Sequence, residues 1–232
     1  MQTQRPLSKA EQYIADVLAG RIVTSKLVRL AIERHQRDLI EGPARGLKFN
    51  RKKAQRVIDF IERFILGTEG EFDGKPFLLE PWLQCQLWIL YGWTWAATGY
   101  RRFKFAYNEI ARGNLKSTLA SALCIYELIA VGEPGANVYS AATDKGTAKL
   151  VFDTASLMIK KSPALRRRIK VGKSSVWIQG TASKFAPCSA EAKNLLGLRP
   201  SPVVVPKGCF GLVNQTGGLA GEARQSDSSM LS

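Results

Sequence analysis

From Phe103 onward the chain changes period several times, and that alternation limits the fold more than any other feature. Phe103, Phe105 and Tyr107 alternate with Lys104 and Ala106, the two-residue period of a strand. A polar stretch follows, ARGNLKST over residues 111–118, and then a long apolar helical run from Thr118 to Val131. GEPG at 132–135 makes a turn, and Asn137 to Ala142 (NVYSAA) reads as a buried strand. A helix is expected from there to Lys161, with Pro163 just past its end. Two short strands fit between Val171 and Phe185 around Gly180 and Thr181, and Val203-Val204-Val205 is a last strand. Strand, loop, helix, strand, helix, strand is the order of a parallel sheet with crossover helices, an α/β fold.

The chain before this point reads as helices. Ser8 and Glu11 form a capping box, and Ala10, Tyr13, Ile14, Val17 and Leu18 make one apolar stripe that Gly20 can end. Ser25 can cap a second helix that Gly42-Pro43 breaks, and Asn50 a third with Ala54, Val57, Ile58, Ile61 and Ile65 on one face. The Gly- and acid-rich stretch 67–75 reads as a joining loop, so residues 1–75 are expected as a helical N-terminal region and 76–205 as the α/β core. Pro81 opens a further helix, expected to hold Trp82, Trp88, Trp93 and Trp95 as core residues.

Composition bounds the partners. Thirty-four basic and 19 acidic side chains give a formal charge of +15, a field that attracts polyanions, nucleic acid first. The basic residues cluster at Arg51-Lys52-Lys53, at Arg101-Arg102 with Lys104, and at Lys160-Lys161 with Arg166-Arg167-Arg168. No apolar run is long enough to span a bilayer and the first residues lack a secretory core, so a soluble, cytoplasmic protein without a membrane partner is expected. The four cysteines share no metal or redox spacing, with Cys85 and Cys124 expected as buried thiols. The single histidine, His35, lies in a basic run and is expected on an exposed helix face.

The loop carries the chemistry. A lysine followed by a serine at the mouth of a helix suits a phosphate-binding loop: Lys116 reaches the outer phosphates, Ser117 binds Mg²⁺, and the helix N-terminus adds its dipole. The strict pattern asks for glycine at 110 and 115, where this chain has Ile110 and Leu115; its loop glycine is Gly113. On the motif alone, a polar strand-to-helix turn with an exposed lysine is the alternative. The placement after the first strand of an α/β alternation favours a P-loop NTPase-like sheet.

Several separated segments, in one order, resemble the large terminase subunit of tailed bacteriophages. AEQYIADVLAGRIV and AIERHQRDL are similar to that family's opening helices, and PFLLEPWLQCQLWILYGW to its Leu-x-Pro-Trp-Gln segment with the following Gly-Trp. ARGNLKSTLAS resembles its variant phosphate loop, and GEPGANVYSAATDKGTAKLVFDTA its second strand and helix, with SPALRRRI after them. The resemblance covers about the first 200 residues. It implies an ATPase that drives double-stranded DNA into a capsid, working as a ring on the phage portal with a small terminase subunit in the bacterial host. It implies ATP and Mg²⁺ as cofactors, held by Arg112, Gly113, Asn114, Leu115, Lys116, Ser117 and Thr118. Arg112 would be the loop arginine that reaches the γ-phosphate in cis, and Arg112 and Lys116 the catalytic pair. Pro81, Trp82 and Gln84 would lie near the adenine. The family puts its glutamine directly after the tryptophan, whereas this chain has Leu83 there; a one-residue step turns a helical side chain by about 100°.

One part of the pattern is missing. Hydrolysis needs a carboxylate in the Mg²⁺ shell and one to position water. The strand Val203-Val204-Val205 is followed by Pro206 and Lys207, and the acids beyond residue 200 are Glu222 and Asp227 only. Residues 206–232 show no regular period and are expected as an irregular tail, disordered or frame-shifted, with the family's nuclease domain absent. The expectation is a truncated ATPase portion with impaired hydrolysis. A non-enzymatic basic DNA-binding module and another P-loop enzyme, such as a helicase or kinase, stand as the other readings.

Overall fold

The fold is that of a computed structural model, which describes residues 6–111, 113–129, 135–142, 145–189, 202–205 and 209–214. The first helices start where their caps predict. In α1 (Lys9–Leu18) the Glu11 backbone N–H donates to Ser8 Oγ at 3.2 Å, and the Ser8 N–H donates to Glu11 Oε2 at 3.0 Å. Ser25 caps α2 (Lys26–Glu41) and Asn50 caps α3 (Arg51–Phe64), each accepting from the third residue of its helix frame. Each cap satisfies a backbone donor that the helix cannot satisfy itself. Ala54, Val57, Ile58 and Ile61 form the buried face of α3 and pack on α4 (Pro81–Gly92), which is apolar almost all round. Fully burying a side chain such as Ile58 or Leu83 contributes about 1.5–3 kcal/mol, and both are about 1% exposed.

The Trp-rich helix is shorter than expected. It ends at Gly92, and β2 (Trp93–Trp95) pairs antiparallel with β1 (Leu47–Phe49). A Cβ at Gly92 would lie 2.2 Å from the Phe49 ring, so glycine is what allows this close crossing. The pairing ties the chain after α4 to the loop between α2 and α3. Buried residues of α1, α3, α4 and α5 belong to one continuous core.

The second layer is a mixed seven-stranded sheet. Its strands are β3 (Phe105–Glu109), β4 (Asn137–Ala142), β5 (Ile169–Val171), β6 (Val176–Ile178), β7 (Lys184–Ser189), β8 (Pro202–Val205) and β9 (Cys209–Asn214), in the order β3-β9-β8-β4-β7-β6-β5. β4 is parallel to both β7 and β8; β9 and β6 run the other way. β3 therefore points the same way as β4, β7 and β8, and their carboxyl ends share one edge. α5 (Lys116–Ile129) and α6 (Lys145–Lys161) pack on each other and against β4, and α7 (Pro163–Arg166) follows α6. The sheet is thus parallel at its centre, with antiparallel additions on both sides.

β9 departs from the expected irregular tail. Residues 209–214 (CFGLVN) pair with both β8 and β3, and that tertiary pairing supplies the order which their sequence period does not. The remainder of the tail, with Pro206, Lys207, Glu222 and Asp227, lies outside the described residues.

Candidate functional site

The loop between β3 and α5 lies at the carboxyl edge of the sheet. Ile110, the residue after β3, is 6% exposed and anchors the loop in the core. The chain then turns out to solvent: Ala111, Gly113, Asn114 and Leu115 are exposed. Arg112 lies outside the described residues. Gly113 has φ +83° with open space where a Cβ would sit. Helix α5 begins at Lys116, and the Leu115 carbonyl accepts from the Leu119 N–H at 2.8 Å.

Leu115 is the one described non-glycine residue with positive φ, at 57°. The strict phosphate-loop pattern asks for glycine at this position. The backbone thus keeps the glycine-favouring left-handed conformation and carries a leucine through it, at a cost of about 1–2 kcal/mol. The two departures from the pattern differ in kind. Ile110 fills core space, while Leu115 is strained and 41% exposed.

Lys116, Ser117 and Thr118 occupy the first turn of α5 and are half-buried. Among the described residues Lys116 makes no ion pair. Ser121 Oγ lies 2.9 Å from the carbonyls of both Ser117 and Val151, tying this first turn to α6. The first N–H groups of a helix, a left-handed loop and a lysine can receive phosphate oxygens.

A groove of about 890 Å³ runs alongside. It is lined by Glu109 and Leu119, which flank the loop, and by Trp82 and Gln86 of α4. Pro81 is exposed at the first position of α4 and Trp82 is half-buried. Gln84 is turned inward instead: it is 3% exposed, and its Nε2 donates to Glu62 Oε1 and to the Leu79 carbonyl, both at 3.0 Å. Leu83, where the family pattern has glutamine, is core. The structure therefore brings Trp82 and the loop flanks to one groove and leaves Gln84 out of it. Gln86 is the glutamine that faces the groove; a helical step of four from Trp82 is the signal that finds it.

Two expected features are corrected elsewhere. His35 is buried, and its Nδ1 accepts from Trp93 Nε1 at 3.0 Å. Burial pushes its pKa down to about 4, against the opposing pull of Asp38 and Glu11. The Arg101-Arg102 cluster is not a free basic surface. Arg101 makes two hydrogen bonds to the buried Glu127, at 2.6 and 2.8 Å, and Tyr91 donates to the same carboxylate at 2.6 Å. Burial would lower the Arg101 pKa, but Glu127 outweighs it and holds the guanidinium charged. Arg102 and Arg45 both pair with Asp38. Burial would raise the Asp38 carboxyl, and these hydrogen bonds carry it below its ordinary range. Cys85 and Cys124 are buried as expected, and burial pushes the Cys85 thiol up to about 12.

A helix thus starts on Lys-Ser at the carboxyl edge of a partly parallel sheet, with a groove lined in part by Trp82 next to the loop's flanking residues. The family described as terminase large subunit, ATPase domain, matches residues 81–207, which is more than half of the sequence. The chain belongs to that family. The large terminase subunit of Enterobacteria phage HK97 is 28% identical over 151 residues, 64% of this chain and 29% of that protein. The crystal structure of the HK97 bacteriophage large terminase superposes with a TM-score of 0.53 at 23% identity, over 66% of this chain and 30% of that one. That likeness concerns the fold. The chain spans about 29% of the length of the curated relative it matches. Among the described residues no helix is long and apolar enough to cross a membrane.

Proposed function

We propose that the chain binds ATP at the β3–α5 loop, as the nucleotide-binding part of a phage DNA-packaging motor. The observation that carries this is the left-handed backbone at Leu115 immediately before Lys116 and the start of α5. Backbone N–H groups from Gly113 to Lys116 meet the phosphates, the Asn114 N–H giving up its long bond to the Ala111 carbonyl (3.4 Å), and Lys116 Nζ neutralises the outer ones. Ser117 is the residue that would hold Mg²⁺, with Thr118 supporting the turn. Arg112 would act on the γ-phosphate in cis. The adenine would lie toward Trp82 and Pro81, with Gln86 rather than Gln84 available to its edge. The P-loop NTPase-like topology is part of this reading.

Turnover is a separate matter. The residues after β8 in sequence are Pro206 and Lys207, not acids. The Mg²⁺ shell and the attacking water thus have no carboxylate at the expected place. Binding without appreciable hydrolysis follows. A nucleotide-independent DNA-binding module is not favoured, because the family match falls on an ATPase domain. By the same membership, double-stranded DNA, a portal, a small terminase subunit and further copies of the chain are proposed partners in the host cytoplasm.

The test is calorimetric titration with ATP, with and without Mg²⁺, on the native chain and on Lys116→Ala. Native chain should bind, and Lys116→Ala should weaken binding at least tenfold, since a charge-assisted contact to phosphate is worth about 1.5–3 kcal/mol. Equal binding by both proteins would remove the loop from the site.

A further inference from the structure

The sequence from Lys160 to Ser189 holds eight basic residues and no acid, more than half of the net charge of +15. Lys161 pairs with Asp73. Lys170, Lys173, Lys184 and the arginine run 166–168 are exposed, and among the described residues none of them makes an ion pair.

Within this segment β5, β6 and β7 place three residues in one cross-strand row. Lys170 is opposite Trp177, and Trp177 is opposite Lys184. Directly opposed residues of antiparallel strands project to the same face. The other face turns to the core through Ile169, Val176 and Phe185, all at most 2% exposed. The solvent face of this sheet edge is therefore lysine, tryptophan, lysine.

Trp177 is 41% exposed, yet its ring is positioned. A Cβ at Gly172 would lie 2.8 Å from the indole Cζ3 and 3.3 Å from Cη2. Glycine at 172, at the base of the 172–175 turn, makes room for the ring against the backbone. An indole held in this way with one side open has already lost most of its rotamer freedom, so a ligand need not order it.

We propose that this face binds single-stranded nucleic acid. Trp177 stacks on an unpaired base, and Lys170 and Lys184 on either side take the flanking phosphates. The arginine run and Lys173 extend the positive field along the strand. A duplex hides its base faces, so it can use the charge of this surface but not the ring. The surface is separate from the β3–α5 loop: β5 and β6 form the opposite border of the sheet from β3.

The experiment is fluorescence anisotropy of a labelled oligothymidylate of about 20 nucleotides, longer than a single binding site, and of a duplex of equal length. It uses the full 232-residue chain. Trp177→Leu should weaken oligothymidylate binding on the order of tenfold and leave duplex binding within about twofold. Trp177→Phe, which keeps a ring, should retain most of the affinity. Lys170→Glu with Lys184→Glu should weaken oligothymidylate binding and flatten its dependence on salt. Unchanged thermal melting of each variant shows that the fold survives. Absent oligothymidylate binding, or binding indifferent to Trp177→Leu, overturns the proposal. So does an equal loss for single strand and duplex.

Discussion

The region around α2, α4 and β2 and the region around the β3–α5 loop handle charge in opposite ways. In the first, charges are enclosed and matched: Glu127 by Arg101 and Tyr91, Asp38 by Arg45 and Arg102. In the second, Lys116 has no carboxylate partner among the described residues, and the backbone at Leu115 is strained. The first region uses ion pairs to hold the framework that positions α4. The second keeps a strained, solvent-exposed backbone beside a lysine, the setting in which an anion is proposed to bind. Substitutions in the two regions should therefore separate stability from ligand binding.

The largest effect is expected at the enclosed pair. Arg101→Met leaves Glu127 buried with Tyr91 alone and should cost about 3–5 kcal/mol in chemical denaturation. Adding Glu127→Leu should restore most of that loss, because a hydrophobic replacement of similar volume removes the stranded charge. Lys116→Ala, by contrast, should change stability by no more than about 0.5 kcal/mol. A large loss at Lys116 would break the comparison.

The next effect is set by pH. Folded His35 titrates at about 4, against an ordinary value of 6.5. Between those values the unfolded chain takes up a proton that the folded imidazole refuses. Stability should be complete above pH 6.5 and fall by about 3 kcal/mol as pH drops to 4. Protonation at Nδ1 would also end the hydrogen bond from Trp93. Asp38 has the lowered carboxyl pKa, so its contribution is lost only at still lower pH. His35→Gln, measured by denaturation across this range, should lose the upper part of the slope.

The smallest effect sharpens the reading of the loop. Leu115→Gly removes the left-handed strain and should stabilise the fold, with the gain reduced to about 1 kcal/mol or less by the freedom glycine adds to the unfolded chain. It should also tighten ATP binding by removing a Cβ next to the phosphates. Destabilisation would mean that the leucine side chain is needed where it stands.

Local features were legible in the sequence, and distant partnerships were not. The caps at Ser8, Ser25 and Asn50 act within one turn, and each starts its helix as read. The position of ARGNLKST between a strand and a helix is also local. His35 was misread because its partner, Trp93, lies 58 residues away. Arg102 reads as surface charge until the fold brings it to Asp38, 64 residues earlier. Trp93 and Trp95 continue a helical pattern in sequence, but pairing with β1 makes them a strand. At the proposed site, the motif marks Lys116 and Ser117, and the structure sets them in the first turn of α5. The inward turn of Gln84 depends on Glu62, which its own helix does not reveal.

The most direct measurement is amide chemical-shift mapping of the chain as ATP is added. The account predicts that the backbone amides of Gly113, Asn114, Leu115, Lys116 and Ser117 shift more than any others. It also predicts that Trp82 moves with them and that the amides of β5 and β6 stay in place. Loop amides that remain still while another surface responds would contradict it.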